Sequence, residues 1–242
     1  MPTALVLANR DDADPGLVGE ALAARGYRLE ILVREATDGG WPPAGTADLV
    51  LVLGSEWSVY GDAVREPVDR ERAFVADAVG AGVPVLGICF GAQMLAAALG
   101  GEVRAAAHTE LGWMEVEPRP GSDTRADARA GGAGGALPIA PGPWFQFHRD
   151  TFTGPPGATL LARSDVGPQA FRLGSALAVQ FHPEVTPEIV GRWATTDPGP
   201  VARAGLTADE LVARTAAEQP RARRAATHLV DTFLATTTAA AP

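Results

Sequence analysis

The sequence predicts an α/β fold: a mostly parallel central sheet flanked by helices, a smaller antiparallel strand region after it, and a helical C-terminal extension. Three observations predict it. Short β-branched or leucine-rich runs alternate with helical patterns through the first half of the chain, as successive βαβ units do. The runs Asp48–Leu53 and Val83–Ile88 are apolar almost throughout rather than at every second residue, as expected of strands buried on both faces. From Gly101 the segments shorten, and strand patterns follow one another without helices between them.

In order, the elements read as a strand at Thr3–Ala8, a helix at Leu17–Arg25, strands at Tyr27–Arg34 and Asp48–Leu53, a helix at Glu66–Gly80, a strand at Val85–Ile88 and a helix at Ala92–Leu99. Two short strands, Glu102–Ala106 and Trp113–Glu117, precede Pro118–Pro143, whose Gly, Ala and Pro content reads as a long surface loop. Its Gly131–Gly135 run lacks the Lys-Ser/Thr of a phosphate-cradling loop and reads as linker. Strands resume at Trp144–Phe147, Thr159–Arg163, Ala170–Leu173 and Leu177–Phe181. Helical patterns near Thr186–Trp193 and Ala208–Glu218 lead to a terminal helix around Arg221–Leu234. No internal repeat is visible.

The composition excludes several classes. With 242 residues and 46% hydrophobic content, the chain is long enough to bury a core. The net charge is −9, and all 20 basic groups are arginines dispersed along the chain, which argues against nucleic-acid binding. Met1–Leu5 enters a short apolar stretch without a basic leader, and no run approaches a membrane span in length, so a cytoplasmic protein without membrane partners is expected. A single cysteine permits neither an internal disulfide nor a site of paired thiolates, and no metal or cofactor is expected. That cysteine is either core filler or a nucleophile.

Its neighbours favour the nucleophile. Gly87-Ile88-Cys89-Phe90-Gly91-Ala92-Gln93 lies between an apolar strand and an Ala/Leu-rich helix. A nucleophile on a sharp strand-to-helix turn is held in a strained backbone conformation, and the residues two before and two after it approach too closely for side chains. Cys89 would project from the top of the sheet at a helix N-terminus, where the helix dipole favours negative charge on sulfur. A thiolate needs a base near neutral pH and an acid for the leaving amine, and the imidazole of histidine suits both tasks. His182 follows the apolar run Leu177–Phe181 and should emerge at a strand end beside the elbow. Glu184, two residues on across Pro183, can accept the other imidazole N–H.

Gly-Ile-Cys-Phe-Gly-Ala-Gln together with Val-Gln-Phe-His-Pro-Glu-Val resembles the class I glutamine amidotransferases, a flavodoxin-like family, over roughly Thr3 to Trp193. Gly54-Ser55-Glu56-Trp57-Ser58-Val59-Tyr60 is similar to that family's Gly-Gly-Pro-x-Ser-Val-Tyr loop, with Ser55 in place of a glycine and Glu56 in place of the proline. The resemblance implies catalytic roles for Cys89, His182 and Glu184. It implies an oxyanion hole of the Ser55 and Phe90 N–H groups beside Gly54, and substrate contacts from Gln93, Phe147, His148 and Asp150. Gln93 has the alternative of capping or packing the first helical turn. Arg149 stands where the family has a glycine, and points either to solvent or to a second carboxylate of a larger substrate. Residues 1–196 are expected to form the amidotransferase-like domain and 197–242 a helical extension.

The implied reaction is hydrolysis of the glutamine side-chain amide through a γ-glutamyl thioester, with ammonia passed to a synthetase on a separate chain. Two alternatives remain open: the same triad acting on γ-glutamyl peptides or amines, or a non-catalytic partner-binding subunit. Other features read more plainly. Asp11, Asp12 and Asp14 cap and charge the following helix, His108 and His228 lie at the surface, Trp113, Trp144 and Trp193 anchor the core, and Arg221–Arg224 is a solvated helix face.

Overall fold

The computed structural model describes residues 1–36, 40–119 and 139–238, the last by its backbone alone. Its strands are β1 (Thr3–Ala8), β2 (Arg28–Val33), β3 (Leu49–Val52), β4 (Val85–Ile88), β5 (Val103–Pro118), β6 (Gly142–Phe152), β7 (Thr159–Arg163), β8 (Pro168–Leu173) and β9 (Ala176–Val179). The helices are α1 (Gly16–Ala23), α2 (Arg65–Gly80), α3 (Phe90–Ala98), α4 (Pro187–Thr196), α5 (Pro198–Arg203) and α6 (Ala208–Thr238).

The sheet order is β2-β1-β3-β4-β9-β8-β7-β5-β6. Strands β2, β1, β3, β4 and β9 run parallel to their neighbours, and β8, β7, β5 and β6 follow in antiparallel pairings. Alternate residues of the parallel strands feed two cores. Ala4, Val6, Leu49, Leu51, Leu86 and Ile88 pack with Val18 and Leu22 of α1 and with Leu229 and Phe233 of α6. Leu5, Leu7, Val50, Val52 and Val85 pack on the other face with Phe74 and Val75 of α2 and Met94 and Leu95 of α3. A fully buried leucine or valine stabilises by about 1.5–3 kcal/mol, so these helices are fixed chiefly by their apolar faces.

Three departures from the sequence reading have physical causes. Glu102–Ala106 and Trp113–Glu117 belong to a single strand, β5, whose register against β6 shifts between Ala105 and Glu110; this irregularity breaks the alternation that would mark one long strand. β6 continues past Phe147 to Phe152, because Gln146, His148 and Asp150 are buried polar residues rather than loop. The two C-terminal helical patterns form one helix through Pro220, since Leu211 before the proline and Ala222, Ala226 and Leu229 after it are all buried. Of the Pro118–Pro143 segment, 120–138, including the glycine run, lie outside the described residues. Among the described residues no helix is long and apolar enough to cross a membrane.

Candidate active site

The loops that leave β1, β3, β4 and β9 at their carboxyl ends open onto one cavity of about 750 Å³. Ligand crevices form at this edge of parallel sheets because the strand ends leave backbone groups and short turns free for ligands.

Cys89 links β4 to α3 with φ 51° and ψ −105°, the sole non-glycine residue at positive φ among the described residues. Holding a side chain there costs on the order of 1–3 kcal/mol. The surrounding packing maintains it. The Cys89 amide donates to the Val179 carbonyl at 2.9 Å, and both flanking glycines are sterically required. A Cβ on Gly87 would meet the Gly91 carbonyl oxygen at 2.4 Å, and one on Gly91 would meet the Val52 carbonyl oxygen at 2.1 Å. Cys89 is 5% exposed, and the cavity reaches it. Its sulfur lies 4.0 Å from the carbonyl oxygen of Phe147, a half-buried residue on the opposite wall.

His182 follows β9, and its amide donates to the Phe145 carbonyl at 2.8 Å. Nδ1 lies 2.7 Å from Glu184 Oε1. The Glu184 carbonyl accepts from the first turn of α1, through Leu17 N–H at 2.9 Å, and Gln219 of α6 donates to Val185 at 3.1 Å. The His-Pro-Glu turn is thus held by two helices. The Trp193 ring lies 4.7 Å from the imidazole in a T-shaped contact, and its indole N–H donates to Asp12 at 2.8 Å. Burial alone would lower the His182 pKa. The Glu184 carboxylate and then a negative Cys89 sulfur outweigh it and raise the imidazole well above its usual value. Among the described residues His182 Nε2 and Glu184 Oε2 are buried without a hydrogen-bond partner. Nε2 is therefore free to exchange a proton with a group entering the cavity.

Gly54 lies against this pair: a Cβ there would come within 3.1 Å of His182 Cε1 and 3.8 Å of Cys89 Cβ. Ser55 follows along the cavity wall, its hydroxyl accepting from Trp57 N–H at 3.1 Å. Phe90 opens α3, so its N–H has no acceptor within the helix. Gln93, one turn on, is buried; its amide donates to Gln180 Oε1 at 3.3 Å and approaches the Asp150 carbonyl at 3.5 Å. It therefore both packs and lines the cavity.

The opposite wall comes from β6. Asp150 accepts from Ser58 Oγ at 2.7 Å and Tyr60 Oη at 2.8 Å. His148 is braced by the Asp150 carbonyl at 3.0 Å, Gln146 Oε1 at 3.1 Å and Glu110 Oε2 at 3.0 Å. Burial pushes the Glu110 carboxyl up, but the His148, Ser164 and Gln169 hydrogen bonds overcome this and leave its pKa lowered. Arg149 is exposed at the rim and donates to the Glu56 carbonyl at 2.9 Å.

Of the residues named from the sequence for this site, all but Phe90 and Glu184 line this cavity; Phe90 adjoins it through Cys89, and Glu184 stands behind His182. Ser58, Tyr60, Glu110 and Asp12 belong to the site without having been predicted for it. Ser58 and Tyr60 stand in the Gly54–Tyr60 block already noted, and Glu110 carries no local pattern. Asp12 is a correction, since it accepts from Trp193 and burial raises its pKa, while Asp14 serves α1 through Gly16 N–H at 3.0 Å. Arg221 is another: rather than facing solvent, it donates to the Pro143 carbonyl and lies 5.3 Å over the Trp113 ring. His108 is exposed, as read, whereas His228 is half-buried. Among the described residues no group of three or more His, Cys, Asp or Glu side chains is arranged to hold a metal ion.

Fold and site define an α/β protein that presents a cysteine on a strand-to-helix elbow to a His–Glu pair. The family model of glutamine amidotransferase class-I matches residues 21–193, and the chain belongs to that family. It is similar to the GMP synthase [glutamine-hydrolyzing] of Alkalilimnicola ehrlichii, with 35% identity over 178 residues covering 70% of this chain and 31% of that protein. The chain spans about a third or less of the length of the curated relatives it matches. A solved glutamine amidotransferase from Thermotoga maritima superposes with a TM-score of 0.81 over 96% of this chain and 98% of the other, at 23% identity. One from Methylobacillus flagellatus gives 0.79 over 97% and 94%, at 24% identity. At those identities the two structures speak for the fold.

Proposed function

We propose that the protein hydrolyses the side-chain amide of glutamine with Cys89 as nucleophile, His182 as general base and acid, and Glu184 as the residue that fixes the imidazole. The observation that carries this is the elbow cysteine beside a histidine whose far nitrogen is held by a carboxylate at 2.7 Å. Cys89 attacks the amide carbon, and the oxyanion is received by the Ser55 and Phe90 N–H groups beside Gly54. Donors of this kind contribute about 2.7–4 kcal/mol each in a comparable hydrolase. His182 protonates the departing ammonia, a γ-glutamyl thioester remains on Cys89, and water activated by His182 releases glutamate. Asp150, His148, Phe147 and Gln93 hold the substrate's amino-acid end, the Asp150 carboxylate offering a counter-charge to the α-amino group.

The likeness to the amidotransferase portion of proteins named GMP synthase supports delivery of the ammonia to a synthetase on another chain. The reading carries a cytoplasmic setting with it, where a lone thiol stays reduced. A second reading, hydrolysis of γ-glutamyl peptides or amines, is supported by the cavity: at about 750 Å³ it falls in the range of about 300–1,000 Å³ that holds drug-sized ligands, with room for a leaving group larger than ammonia.

The test is the purified protein given glutamine and, separately, a γ-glutamyl dipeptide. Ammonia released from glutamine supports the first reading, and fast turnover of the dipeptide with slow turnover of glutamine supports the second. No turnover of either, with Cys89 left unmodified by a diazo-ketone analogue of glutamine, overturns both in favour of a binding subunit.

A further inference from the structure

Arg34, just past β2, is completely buried, and all of its donor nitrogens are engaged. Nε and Nη2 form a two-pronged pair with Glu71 of α2, at 2.9 and 3.2 Å. Nη1 donates to the Asn9 side chain and, at 3.0 Å, to the carbonyl of Gly54. Nη2 also reaches the Leu7 and Leu53 carbonyls, each at 3.2 Å. The guanidinium lies 4.9 Å over the ring of Phe90. Stability alone does not require such a group, because a buried ion pair is often replaceable by apolar side chains at no loss.

Its partners suggest another role. In a trans peptide the carbonyl and the next N–H lie in one plane and point in opposite directions, and no peptide among the described residues is cis. Drawing the Gly54 carbonyl toward Arg34 turns the Ser55 N–H the opposite way, and both residues border the cavity that reaches Cys89 and His182. The loop has Glu56 rather than a proline after Ser55, so its conformation depends on contacts such as these. The same guanidinium packs on Phe90, whose N–H is the second donor.

We propose that Arg34 is a positioning residue for the oxyanion hole: by gripping the Gly54 carbonyl and covering the Phe90 ring, it aims the Ser55 and Phe90 amides at one point above Cys89. This rests on the hydrolase reading. A misaimed donor weakens only steps that build negative charge on oxygen. Alkylation of Cys89 by iodoacetamide, a displacement at saturated carbon that expels iodide, builds none.

The experiment compares wild type with the double variant Arg34→Met/Glu71→Leu, which removes the pair without stranding a charge, and with Arg34→Lys, which keeps the charge but not the fork. Turnover of glutamine or a γ-glutamyl dipeptide and the iodoacetamide rate are measured on each. In the double variant kcat falls about 10²-fold while KM and the alkylation rate stay within about threefold, and Arg34→Lys lies between it and wild type. Undiminished kcat in the folded variants overturns the role, and so does alkylation slowed in parallel with kcat, since Arg34 would then hold the whole site. A measurement on wild type stands apart from variant folding. The crystal structure of its thiohemiacetal with the γ-aldehyde of glutamate should place the oxygen within about 3.2 Å of both amides, with the Gly54 carbonyl still on Arg34; an oxygen away from either amide overturns the proposal. Wild type that turns over neither substrate overturns the hydrolase reading itself, a result separate from failure of the variants.

Discussion

The two halves of the sheet build their sides of the cavity by different means. The parallel half contributes turns: β3, β4 and β9 each end at the cavity, delivering Gly54, Cys89 and His182 from backbone positions set by close packing and, at Cys89, by strain. The antiparallel half contributes a strand face: Gln146, His148 and Asp150 alternate along β6 and are tied to Glu110 and Gln169 in a buried polar network. On the proposed function, this is a division of labour: one half fixes where a reacting atom sits and the other which hydrogen bonds a ligand finds, reactivity falling to strand ends and recognition to a strand face.

That division breaks most sharply at the elbow. Cys89→Ala should lower turnover at least about 10⁴-fold while leaving the denaturation midpoint close to wild type, because the loss is chemical and the strained turn tolerates a small side chain. His182→Ala should follow closely, and Glu184→Gln should cost less, since a neutral amide still accepts from Nδ1 at 2.7 Å but does not stabilise the imidazolium. Steady-state kinetics check the order. Equal activity in Cys89→Ala and wild type ends the assignment of chemistry to the parallel half.

The recognition half should fail differently. Asp150 is held by two hydroxyls, so Asp150→Asn keeps its place and loses its charge. We expect KM to rise about 10- to 100-fold with kcat changed by less than about tenfold, and iodoacetamide to label Cys89 at the wild-type rate. A variant that loses kcat with KM intact would place Asp150 with the chemistry and erase the distinction.

The same division explains what was legible in the sequence. Continuous apolar runs announce parallel strands, and Gly87 and Gly91 announce the elbow, because backbone crowding leaves glycine as the residue that fits. β6 was readable only as far as Phe147, for its second half is polar yet buried, a pattern that local hydropathy assigns to a loop. His148 and Asp150 were reached through resemblance alone. Glu110 and Arg34 were invisible, since their importance lies in partners 38 and 37 residues away or at the far end of a strand pairing, as with His148 and Glu71. The single helix α6 was read as two because Pro220 outweighs its neighbours in any local count, while the packing on both sides of it does not.

The smallest effect concerns pH, and here the halves carry opposite signs. Glu110 has a lowered pKa in the folded state, so its contribution to stability is complete above the unfolded carboxyl value of about 4.3 and disappears as pH falls through the folded one. His182 has a raised pKa, so its contribution is complete below about 6.5 and disappears as pH climbs through the folded value. Denaturant unfolding of wild type, Glu110→Gln and His182→Gln across this range should show the first variant's deficit, about 1.5–3 kcal/mol near neutrality, closing on the acid side. The second variant's deficit should close on the alkaline side. In Cys89→Ala the imidazole keeps Glu184 but loses the sulfur charge, so its titration followed by NMR should move downward from wild type. An unmoved midpoint there would mean that Cys89 and His182 are not coupled, and would detach the nucleophile from its base within the parallel half.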